Sequence, residues 1–236
     1  MVYNLLQNYL TEKQINFLDN FLKKESLKIN PKFFKKGYRG AVLLVERNKN
    51  FFILKIKRKD NIKTLNKEYK ILKLLEKYNI APKVFKFDEK YQILLMEFVK
   101  GISLKDFKGV LKDKKLKIYK TRFLNYIKKT LEKLYILDNL KIFHSELGGG
   151  KHIYFYKGNV KFIDFESAKF TNKPKNIFQF LGANLLSDKI ILEILNLKKE
   201  NILFFLKEYK ETFPFLNQEK FLLLLRKYFG ESIENI

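Results

Sequence analysis

The chain has 236 residues, 46% of them hydrophobic, and 49 Lys and Arg against 25 Asp and Glu give it a net charge of +24. That apolar content builds one sizeable core or two small ones and excludes a disordered chain. The absence of cysteine excludes disulfides and thiolate metal sites, and two histidines, His144 and His152, are too few to make a zinc site alone.

Residues 1 to about 30 read as helical. Thr11 and Gln14 have the spacing of a capping box, and INFLDNFL follows at amphipathic spacing. From Lys36 the pattern changes to two strands, KGYRGAVLLVE and FFILKIKR, joined by a turn over Arg47 to Asn50. Residues 61 to 78 form a helix with Ile62, Leu65, Tyr69, Leu72 and Leu75 on one face, stopped by Pro82. KVFKF and YQILLMEF are two more strands, and VKGIS is a short connector. Leu116 to Leu137 is a long buried helix with Tyr119, Phe123, Ile127, Leu131, Leu134 and Tyr135 along its stripe.

The next stretch, HSELGGGKHIYFYKGNVKFIDFESA from His144, carries the chemistry. IYFY and VKFIDF are the strands of a hairpin turned by Lys157-Gly158-Asn159, which brings Glu146 and Asp164 to the same end. From Asn176 onward, three or four short amphipathic helices are expected around Phe178, Leu181, Ile191, Ile194, Leu203, Phe204, Leu222 and Leu225. The longest apolar runs, such as FLLLL from Phe221, fall short of a membrane span, and the N-terminus has no basic region leading into an apolar stretch. A cytoplasmic protein with no membrane association is the expectation.

The order is Lys55 in the second strand of the first hairpin, Glu68 on the next helix, MEF before a glycine connector, then H-x-acid and I-D-F. This order, over about residues 31 to 190, resembles the protein-kinase-like fold. It is most similar to small atypical kinases: the RIO family, the kinase of the KEOPS tRNA-modification complex, and archaeal Ser/Thr kinases of unknown role. The resemblance implies an α+β, two-lobed fold. Its parts are a helical extension over 1–30, a small antiparallel-sheet lobe over 31–97 and a mostly helical lobe over 98–236.

It also implies roles. Lys55 would contact the phosphates of ATP and be held by Glu68. Gly37, Gly40 and Val42 in GYRGAV would stand at the phosphate loop, where backbone N–H groups approach a phosphate only if side chains are small. The backbone of Glu97 and Val99 would meet adenine. Asp164 would be the Mg²⁺ ligand, since a hard carboxylate suits an ion that bridges phosphates. Glu146 falls where the family has an aspartate that orients the acceptor hydroxyl, and its extra methylene is a departure that Gly148, Gly149 and Gly150 would accommodate.

Two further departures concern the metal and the loop. The family's loop asparagine is replaced by Lys151 or His152, and alignment on the following IYF strand favours His152. An imidazole there suits Mn²⁺ better than Mg²⁺, while Lys151 would bring a positive charge to the γ-phosphate. His144 matches a residue that packs beneath the loop, and Glu166 adds a carboxylate where the family has glycine. No long activation segment follows Phe170.

The expected function is an ATP-dependent phosphotransferase of the small atypical Ser/Thr kinase type, with a protein acceptor or itself as substrate. A nucleotide-binding pseudokinase or RNA-associated scaffold, and a small-molecule kinase, stand as alternatives. The charge leaves two readings open. Counterion release would favour RNA or ribosome association. However, only five of the basic residues are arginine, the residue that bidentate phosphate recognition favours, which suits a solvated lysine-rich surface.

Overall fold

The computed structural model describes residues 2–36, 40–112 and 119–229. These fold as an α+β protein in two units, Met1–Val99 and Lys100–Ile236. No helix among the described residues is long and apolar enough to cross a membrane.

The first unit holds helices α1 (Val2–Gln7), α2 (Glu12–Lys24) and α3 (Asn66–Leu75), and strands β1 (Lys28–Lys36), β2 (Gly40–Arg47), β3 (Asn50–Lys57), β4 (Val84–Asp88) and β5 (Ile93–Glu97). The strands form one antiparallel sheet in the order β1-β2-β3-β5-β4. Thr11 starts α2 with the full capping box, its hydroxyl accepting from the Gln14 N–H while the Gln14 side chain accepts from the Thr11 N–H. The hairpin β2–β3 turns at Asn48 and Lys49, both at positive φ, which is the twist-matched geometry of a two-residue turn.

One core lies between α2 and a face of the sheet. Leu18, Phe21 and Leu22 of α2 pack with Ala41, Leu43 and Val45 of β2, Leu54 and Ile56 of β3, and Ile93 and Leu95 of β5. Because side chains alternate along a strand, Lys55 between Leu54 and Ile56 projects to the opposite face.

The helical reading of residues 1–30 holds only through Lys24, since β1 begins at Lys28. Pro31 and the charged residues of KINPKFFKK break the strand pattern, and both are tolerated because β1 is an edge strand with an irregular register between Ile29 and Phe34. The helix expected over 61 to 78 begins instead at Asn66, which leaves Ile62 outside it and 95% exposed. It is continued by a 3₁₀ turn over Glu76–Tyr78 and stops at Asn79, in the left-handed conformation, before Pro82 is reached.

In the second unit β6 (Ile102–Ser103) leads into α4 (Leu104–Lys112), followed by α5 (Lys120–Asn139) and β7 (Ile142–Phe143). The hairpin β8 (Ile153–Tyr156) and β9 (Asn159–Phe162) pairs with β6, and β10 (Lys169–Phe170) pairs with β7. The helices α6 (Asn176–Leu181), α7 (Lys189–Leu195), α8 (Lys199–Thr212) and α9 (Gln218–Phe229) follow, with α6 running into a π-helical turn over Gly182–Leu186.

The stripe of α5 is buried as expected at Phe123, Ile127, Leu131, Leu134 and Tyr135, while Tyr119 precedes the helix and Leu116 lies outside the described residues. The turn of β8–β9 is Lys157-Gly158 alone, both at positive φ, and Asn159 already pairs with Tyr156. On α8 the buried face is Ile202, Phe205 and Tyr209. Leu203 and Phe204, named among the apolar positions of this helix, face solvent, because three adjacent apolar residues cannot share one stripe of a helix.

Candidate functional site

In the first unit Lys55 sits near the middle of β3, paired in register with Val42 of β2 and Leu94 of β5. Its Nζ lies 2.8 Å from Glu68 Oε2 and 3.1 Å from Oε1, with the two side chains 5% and 4% exposed. Glu68 is in the first turn of α3, where the helix dipole favours a carboxylate. A buried ion pair is held against the desolvation of both ions, and apolar residues of the same volume would do as well for stability. Stability alone therefore does not account for the pair.

Gly40 stands beside it. A Cβ there would lie 3.1 Å from Lys55 Cγ and 3.0 Å from the Ile56 carbonyl oxygen, so any other residue would press on the lysine stem. Gly37 lies outside the described residues. Of the residues expected at adenine, the N–H of Glu97 is already donated to the Lys83 carbonyl and its carboxylate accepts from the Lys83 N–H. Val99 is half-buried at the end of this unit.

In the second unit the segment His144 to Leu147 is held almost entirely by side chains. Asn176 accepts from the His144 N–H at 2.9 Å and donates to Asp138 and to the Ile142 carbonyl. Gln179 brackets Glu146, since its amide donates to the Ser145 carbonyl at 2.6 Å and accepts from the Leu147 N–H at 3.3 Å. Asn184, on the π-helical turn, donates to the Leu147 carbonyl.

The ring of His144 closes the bracket from beneath. Nδ1 accepts from the Glu146 N–H, so the ring proton sits on Nε2 and is donated to the Ile163 carbonyl at 2.9 Å. Burial pushes the pKa of this histidine down to about 4, which keeps it neutral.

Ser145 and Asp164, neither of them glycine, both adopt positive φ, at 71° and 65°. Such residues are uncommon and persist where the surroundings hold them, often at functional sites. Asp164 lies two residues past the end of β9, and a 3₁₀ turn over Phe165–Ser167 follows it, with Phe165 edge-on to His144 and Glu166 buried.

The result is a cluster. Glu146, His152 and Asp164 each offer one ligand atom, and the three atoms lie within 4.8 Å of one another. His152 Nε2 is 3.3 Å from Glu146 Oε2. His152 is 8% exposed as a residue and 11% at its side chain, and neither ring nitrogen has a hydrogen-bond partner among the described residues. Burial lowers its pKa, against the pull of the Asp164 and Glu146 carboxylates.

The site residues named from the sequence are thus brought together in two groups: Gly40, Val42, Lys55 and Glu68, and separately Glu146, His152 and Asp164. Lys151 is exposed, on the turn before β8. Gly150, at φ +72°, lets the loop pass Leu104, whose Cγ a Cβ there would approach to 2.8 Å. The amides of Asn176, Gln179 and Asn184 were not anticipated. Their one trace in the sequence is the set of polar residues interrupting the apolar run NIFQFLGAN. Compared with known proteins, the chain matches no protein-family model and no curated protein at a significant level.

Proposed function

We propose that this protein is an ATP-dependent phosphotransferase of the protein-kinase-like class, two-lobed in the manner of that fold, with a protein hydroxyl as acceptor. The observation that carries the reading is the buried Lys55–Glu68 pair. Phosphoryl transfer asks a protein mainly to position phosphates and to offset their charge. A lysine fixed by a helix carboxylate and flanked by small Gly40 does this for the nucleotide's phosphates.

The carboxylates of Glu146 and Asp164, with His152, suit a divalent cation. When bound, that ion would supply positive charge to the phosphoryl oxygens. The protein's own part is to keep those donors in place through His144, Gln179 and Asn176. The departures in the loop give the pseudokinase reading its content: the nucleotide bound and not turned over.

The test is transfer of labelled γ-phosphate from ATP, with Mg²⁺ and with Mn²⁺, to the protein itself, to a protein panel and to small metabolites. Wild type should transfer. Lys55→Met leaves the Glu68 carboxylate buried without its lysine, so the informative variant is Lys55→Met combined with Glu68→Gln, which makes both side chains neutral. It should fold, shown by its thermal transition, and lose at least about 100-fold in transfer rate. Nucleotide binding by wild type without transfer to any acceptor would establish the pseudokinase reading instead.

A further inference from the structure

We propose that Glu146, His152 and Asp164 are three ligands to one divalent ion, and that this site selects a first-row transition ion such as Mn²⁺ over Mg²⁺. The proposal rests on the reading of this cluster as a cation site and gives Glu146 a role the family position does not: ligand rather than acceptor-side carboxylate.

Distance is the first argument. Metal–ligand bonds of about 2.1 Å put adjacent donors about 3 Å apart and opposite ones about 4.2 Å apart. His152 Nε2 and Glu146 Oε2, at 3.3 Å, are already at the separation of adjacent donors, and the whole set, within 4.8 Å, needs only side-chain adjustment. The extra methylene of Glu146 is what lets a loop carboxylate reach this cluster. Gln179, bonded to the backbone on either side of it, fixes the point from which it reaches.

The state of His152 points to the same ion. Buried side-chain nitrogens nearly always have a partner, and leaving one without is costly. His152 is 8% exposed, has no hydrogen-bond partner among the described residues, and holds Nε2 3.3 Å from Glu146 Oε2. His144 is excluded as a ligand, since its Nδ1 accepts from Glu146 and its Nε2 serves Ile163. Ligand softness then sets the metal. Mg²⁺ takes oxygen donors and keeps its waters, whereas an imidazole with two carboxylates suits Mn²⁺, Fe²⁺ or Zn²⁺.

The experiment is calorimetric titration of chelator-treated full-length protein with MnCl₂ and with MgCl₂, without nucleotide. Pulsed electron paramagnetic resonance of the Mn²⁺-loaded protein reads nitrogen coupling. Wild type should bind Mn²⁺ at least about tenfold more tightly than Mg²⁺ and show ¹⁴N coupling from one imidazole. His152→Asn should remove the coupling and narrow the preference, and Glu146→Gln should weaken Mn²⁺ binding on the order of 10- to 100-fold. Both variants are checked for wild-type circular dichroism.

Equal affinity for the two ions, no nitrogen coupling, unchanged affinity in Glu146→Gln, or no binding of either ion would each overturn the proposal. Selective Mn²⁺ binding by a protein that transfers no phosphate would leave it standing and remove the phosphotransferase reading. Transfer supported by a site without Mn²⁺ preference would do the reverse.

Discussion

Asp138 and His144 pull the acid stability of the second unit in opposite directions. Burial raises the Asp138 carboxyl from 3.8 to about 6, although Asn176 and Tyr209 donate to it, and lowers His144 from 6.5 to about 4. Asp138, protonated more readily in the folded state, contributes stability that is fully present below about pH 4 and lost as pH rises through about 6. His144, protonated less readily when folded, contributes stability that is present above about 6.5 and lost as pH falls through about 4. Each shift corresponds to roughly 3 kcal/mol, so the two nearly cancel. Asp138→Asn should therefore expose the histidine's dependence, with denaturation midpoints falling steadily from pH 6.5 to 4.5 while wild type stays nearly level. A level profile in the variant would show that His144 is not the buried neutral group described.

At the scale of elements, α6 and its π-helical turn act as the support for the Glu146 loop. Gln179 makes both bonds that bracket the carboxylate's own backbone, and its loss frees Ser145, whose φ of 71° has little reason to persist alone. Gln179→Leu should lower Mn²⁺ affinity about tenfold with little change in helix content. Gln179→Glu, which keeps the acceptor for Leu147, should lie between. Unchanged affinity in both, measured by calorimetry, would mean that the loop holds its shape without the bracket. The β2–β3 and β8–β9 hairpins were legible in the sequence, because each turn needs two residues at positive φ and Asn48-Lys49 and Lys157-Gly158 sit between alternating runs. The bracket was not, since an Asn or Gln within an apolar helix does not name its partner.

For the molecule as a whole, α2 belongs to the core of the first unit, with Leu18 and Phe21 packed on Leu43, Leu54 and Ile56. Phe21→Ala or Leu18→Ala should cost about 2–5 kcal/mol in urea denaturation. A cost under about 1 kcal/mol would mean that the helix is only an appendage to the sheet. The same burial bears on Lys55 through the sheet: the α2 face takes Leu54 and Ile56, and the alternation of β3 then commits the lysine to the face of α3.

By itself the sequence determined the α+β character, the two hairpins and the stripe of α5, because these follow from local periodicity and turn chemistry. Tertiary structure decided what periodicity cannot carry. β1 exists because an edge of β2 was open to it, despite Pro31. Phe205 rather than Phe204 is buried because only one face of α8 meets the core. Glu146, His152 and Asp164 converge because a left-handed Asp164, a bracketed loop and a hairpin place three residues separated by up to 18 positions within one ion's reach. That convergence depends on backbone conformations at Ser145 and Asp164 that neither residue prefers, and that persist only where the surrounding structure holds them.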